Sequence, residues 1–148
     1  MKFLLFIIGF ILSHISYGQK VKEQLYFQVF CGAGAQTSKE IESFKLISSL
    51  KDSVEIKTKL LEGSDLEQIL SAVILTYYNS NGTLKLSHPL RDKINNLSKS
   101  RRKFILCYTC TYHEEGTLKR LFNKKMVAYK IIKGYLLGEF PFSAVGLR

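Results

Sequence analysis

Cys107 and Cys110 stand at Cys-x-x-Cys spacing and His113 follows three residues later, which makes residues 104–113 the segment of this 148-residue chain best equipped for chemistry. Such a trio could form a local disulfide, exchange electrons as a dithiol, or offer three ligands to a soft metal. Redox exchange requires an accessible thiolate of lowered pKa, usually at a helix N-terminus after a strand. Phe104, Tyr108, Thr109, Thr111 and Tyr112 instead give this segment a strand-like composition. A structural zinc site requires a fourth ligand, and neither Cys31 nor His88 has a spacing that would supply one. The expectation is therefore a Cys107–Cys110 disulfide or two small buried thiols. Cys107, Cys110 and His113 are the only candidate metal ligands, and no cofactor is expected. Cys31 either pairs with one of the other two or stays free and buried. As a nucleophile with His88 or His113 as base it lacks any supporting motif.

Other catalytic patterns are missing. Gly32-Ala33-Gly34 is a lone G-x-G without the third glycine or the Lys-Ser/Thr pair of a phosphate loop. His113-Glu114-Glu115-Gly116 reads more economically as a polar turn than as a metal cluster. Asn81-Gly82-Thr83 and Asn96-Leu97-Ser98 have the form of glycosylation sequons. No catalytic or cofactor-binding residue is assigned, and the chain reads as non-enzymatic.

The elements that must hold these residues begin with a leader. Lys2 precedes an unbroken apolar run over residues 3–12, and Ser16 and Gly18 then offer small residues at the positions a signal peptidase inspects. Residues 1–18 read as a signal peptide, too short in their apolar core to span a bilayer. Residues 19–148, 130 in number (148 − 18), form one expected domain, periplasmic or secreted, with no integral span after cleavage. Loss of Lys2 takes the net charge from +10 to +9. With 46% hydrophobic and 23% charged residues the chain is ordinary globular material, which excludes disorder. Its positive charge is densest at Lys99, Arg101, Arg102 and Lys103, and again at Lys119, Arg120, Lys124 and Lys125. That pattern fits a solvated face or an acidic envelope partner. It does not fit nucleic acid, because no aromatic platform is interleaved with the charges.

Four helical segments are legible. Thr37 with Glu40 has the spacing of a capping box ahead of Ile41, Phe44, Ile47 and Leu50. Asp52 and Ser53 can cap a second helix carrying Ile56, Leu60 and Leu61, closed at Gly63 by a left-handed residue. Ser64 with Glu67 makes another capping box before Leu66, Ile69, Leu70, Val73, Ile74 and Tyr77, a face wide enough to occupy the centre of the core. Asn81-Gly82 is a turn, and a further helix starts near Pro89 and turns Leu90, Ile94 and Leu97 inward. Residues 21–30 fit either a strand or a helix. A short helix is expected around Leu118, Leu121 and Phe122, while residues 126–142 fit a hairpin or a final helix equally.

Gly34, Ser38, Phe44, Leu46, the polar break at Asp52-Ser53, Leu60-Leu61 and the long apolar helix after Ser64-Asp65 resemble the pattern of HEAT-like helical repeat proteins exported by Bacteroidota. The resemblance covers residues 32–78. The short helices joined by brief turns give the same expectation of a mainly α fold of short antiparallel helical hairpins, with minor β structure near residues 104–140, where the composition turns strand-like. The resemblance implies an interaction or scaffold module without catalytic residues. The expected function is non-catalytic protein binding in the cell envelope, the alternative being a small thiol-redox or metal-binding protein using Cys107 and Cys110.

Overall fold

A computed structural model describes residues 24–31, 36–109 and 112–139. The leader and its cleavage site, Gly32-Ala33-Gly34-Ala35, Cys110 and Pro141 lie outside the described residues. Among those described, the fold is mainly helical with one small sheet. In chain order the elements are β1 (Leu25–Val29), α1 (Lys39–Ser49), α2 (Ser53–Glu62), α3 (Asp65–Ser80), α4 (His88–Lys99), β2 (Lys103–Tyr108), β3 (Tyr112–Thr117), α5 (Leu118–Leu121) and α6 (Val127–Leu137). No described helix is long and apolar enough to cross a membrane.

The sheet has the order β1-β2-β3. β1 runs parallel to β2, with Leu25 opposite Phe104, and β2 pairs antiparallel with β3, with Phe104 opposite Gly116. Among the described residues the strands are β1, β2 and β3, and Leu118–Leu121 and Val127–Leu137 are helical. Pleating sends Leu25, Phe27, Val29, Phe104, Leu106 and Tyr108 into the core, where the Phe27 and Phe104 rings meet edge to face at 6.0 Å. Tyr26, Gln28, Ile105 and Cys107 lie on the opposite face.

Helix α3 runs through the centre. Its capping box is complete: Glu67 N–H donates to Ser64 Oγ at 3.3 Å and Ser64 N–H to Glu67 Oε2 at 2.8 Å. Leu66, Ile69, Leu70, Ala72, Val73, Ile74, Leu75 and Tyr78 are buried. Helix α1 departs from its sequence reading at both ends. Ser38, not Thr37, caps it, accepting from Ile41 N–H, while Thr37 Oγ1 accepts from Phe30 N–H and ties the segment to the end of β1. Ile41 and Phe44 are buried but Leu50 is 71% exposed. A strict spacing of three rotates about 60° per step around a helix of 3.6 residues per turn, so by the third step the stripe faces the other way. Ser48 takes the inward place, its hydroxyl donating to Leu136 O of α6.

Gly63 ends α2 in an extended conformation (φ −70°, ψ 172°) and not the left-handed one expected. A Cβ there would sit 2.5 Å from Lys59 O, so glycine is required for close approach. The His113-Glu114-Glu115-Gly116 stretch is strand β3, not a turn. Its inward positions are occupied by Tyr112, Glu114 and Gly116, the last lying under the Phe104 ring. Gly138, at φ +68°, closes α6 in the left-handed form.

Candidate functional site

The cysteine corner forms where β1 ends. Phe30 adopts φ +51° and turns the chain; Cys31 and Gln36 then exchange backbone hydrogen bonds of 2.7 and 3.1 Å, and Ser38 N–H returns to Gln28 O at 3.1 Å. This folds Cys31 onto the outer face of β2, where its sulfur is bonded to Cys107 with the Cα atoms 5.6 Å apart. The expected Cys107–Cys110 disulfide is therefore corrected to Cys31–Cys107, and Cys31 is not a free buried thiol. Sequence spacing favoured the near neighbour, but Cys107 lies opposite Gln28 in the parallel register, which brings Cys31 within bonding geometry despite a separation of 76 residues.

That bond removes most of the chemistry the spacing allowed. Cys107 is the last residue but one of strand β2 and 0% exposed, not at a helix N-terminus that would lower a thiol pKa. His113 pairs with Cys107 across the β2–β3 ladder, its Nε2 3.9 Å from Sγ, but a disulfide sulfur is not the thiolate that a metal site requires. Among the described residues no three His, Cys, Asp or Glu side chains converge as a metal site. His88 stands at the start of α4, its Nδ1 2.7 Å from Asp92 Oδ2.

Glu114 has a structural task that its sequence does not announce. Its Oε2 accepts from Tyr112 OH at 2.6 Å and from Ala128 N–H at 3.1 Å, so this half-buried carboxylate serves the first turn of α6. Burial, reinforced by the Glu114 carboxylate, pushes the Tyr112 phenol well above its ordinary pKa and keeps it a donor.

The charged candidates come together. Leu118 N–H donates to Arg102 O and Lys119 N–H to Ser100 O, both at 2.9 Å, which lays α5 against the segment joining α4 to β2. Lys99, Arg101 and Lys103 thereby become neighbours of Lys119 and Arg120, and all five are exposed. Arg102 differs from the rest of its run: its guanidinium turns to Asp65 in the first turn of α3 and is mostly covered. The sequence shows two basic runs but not their junction, because the two backbone bonds that join them carry no residue signature. Compared with protein-family models, with curated proteins and with solved structures, the chain matches none, and its reading rests on this geometry.

Proposed function

We propose that this chain is an exported, non-catalytic protein-interaction module of the cell envelope, whose surface at Lys99, Arg101, Lys103, Lys119 and Arg120 receives an acidic region of a partner protein. The observation that carries the reading is the joining of two distant basic runs by the Leu118–Arg102 and Lys119–Ser100 backbone bonds. Clustered like charge raises the local concentration of an acidic partner and speeds encounter. The Cys31–Cys107 bond supports an oxidising compartment, and with it the reading of residues 1–18 as a signal peptide. Helices α1 to α3, of which α2 packs lengthwise along α3, act as the scaffold in the manner of short HEAT-like hairpins. Thiol-redox or metal chemistry at Cys107 and Cys110 has less support, since Cys107 is already bonded and covered.

The test is calorimetric titration with a poly-glutamate peptide at low salt and again at about 0.15 M, where screening acts over about 8 Å. The native chain should bind, with affinity falling as salt rises. The Arg101→Glu/Lys119→Glu variant should lose about tenfold or more, while the charge-matched Lys39→Glu/Lys85→Glu control should lose far less. Equal loss in both variants, or no binding at low salt, defeats the assignment.

A further inference from the structure

Helix α4 is seated loosely. It contributes one buried side chain, Leu90, with Ile94 and Leu97 only half-buried, and it leaves an open groove of about 410 Å³ against the second half of α3. Leu86, Ile94 and Phe122 supply apolar wall to this groove. Thr76 also lines it, with a hydroxyl that is screened from solvent and has no hydrogen-bond partner. A mid-helix threonine ordinarily satisfies its hydroxyl on the carbonyl one turn back, and a buried hydroxyl left without a partner calls for an explanation. Arg91 lines the same groove, is exposed, and forms no ion pair among the described residues. Asp92 lines the groove as well, its carboxylate engaged by His88. Apolar wall, an uncommitted hydroxyl donor and an unpaired guanidinium together complement a compact molecule with one apolar end and one anionic end.

We propose that the α3–α4 groove binds a small organic carboxylate, its hydrocarbon body lying on Leu86, Ile94 and Phe122 and its carboxylate held by Arg91 and by the Thr76 hydroxyl, which a rotation of that side chain brings out into the groove. The proposal is independent of the cationic surface, since none of the five residues there lines the groove.

The probe is octanoate, titrated into the full, disulfide-bonded chain and followed by amide shifts. Saturable changes are expected at Thr76, Asn79 and residues 91–98. Arg91→Gln should weaken binding about tenfold, and octan-1-ol, which lacks the charge, should bind weaker than octanoate by a similar factor. Thr76→Val keeps the shape and removes the donor, so it should leave the fold intact and weaken binding severalfold. Arg101→Glu/Lys119→Glu should bind octanoate as the native chain does, which separates failure here from failure of the surface reading. Non-saturating or scattered shifts, or native affinity in both Arg91→Gln and Thr76→Val, overturn the proposal, as does an ordered water on Thr76 Oγ1 without saturable binding.

Discussion

Reducing the Cys31–Cys107 bond is a clean perturbation, because it breaks one covalent link and leaves every side chain in place. The link closes a loop of 76 residues. In the chain-entropy treatment a loop of that length restricts the unfolded ensemble by about 15 cal/mol/K, or about 4.5 kcal/mol at 25 °C. For a domain of this size that corresponds to a fall in Tm of roughly 15–20 °C on reduction. Urea denaturation with and without a phosphine reductant, monitored by far-ultraviolet circular dichroism, reads the difference directly. Peptide mapping of the oxidised protein should recover the Cys31–Cys107 linkage and one alkylatable thiol, on Cys110. A Cys107–Cys110 bond would close only a few residues and contribute about 2 kcal/mol in the same treatment. A loss on reduction under about 1 kcal/mol, or a map joining Cys107 to Cys110, would refute the pairing and the argument built on it.

Three further outcomes are expected. Phe104→Ala, which empties a fully buried position against Phe27, should cost about 3–5 kcal/mol in chemical denaturation, with folding lost altogether as the extreme result. Gly63→Ala should destabilise by roughly 1–3 kcal/mol, since its Cβ meets the Lys59 carbonyl at 2.5 Å and Glu67 Cβ at 2.9 Å; an unchanged melting curve would contradict that crowding. The hydrogen bond from Lys59, 2.6 Å from the Glu67 carboxylate, is the main influence holding Glu67 below its usual 4.5. Because the folded value is depressed, the stabilisation is complete above about pH 5 and disappears as pH falls through the folded pKa. The stability gap between the native chain and Glu67→Gln should accordingly close below pH 4.5.

What the sequence made legible is what short-range physics decides. Ser64 and Glu67 satisfy each other within one helical turn, and the apolar face behind them has only one way to be buried, so α3 could be placed at the centre from its own residues. Thr37 and Ser38 are adjacent hydroxyls with the same local credentials, and only the need of Phe30 N–H for a partner assigns one to the strand end and leaves the other to the helix. Strand β3 was hidden because two of its three inward positions are a glutamate and a glycine, with Tyr112 alone carrying a ring to the core. Glu114 is tolerated there through Tyr112 and the backbone of α6, which lies 14 residues further on. The Cys31–Cys107 link and the joined basic surface were illegible for the same reason. Both depend on which distant segments lie side by side, and neither a parallel register nor a backbone bond leaves a residue pattern to read.

The parallel pairing of β1 with β2 also sets the order in which this protein can assemble. All of α1 to α4 lie between the two strands, so the apolar strand β1 is made before those four helices and its partner after them. Helices α1 to α4 gather around α3 through near neighbours in sequence, whereas closing β1 onto β2 carries the full loop entropy before any ladder bond repays it. During synthesis Leu25, Phe27 and Val29 are therefore an unpaired sticky strand, and the Cys31–Cys107 bond is among the last covalent events. Nascent chains that stop short of Lys103 should be the species that aggregate or recruit a chaperone, even though four of their helices are already present.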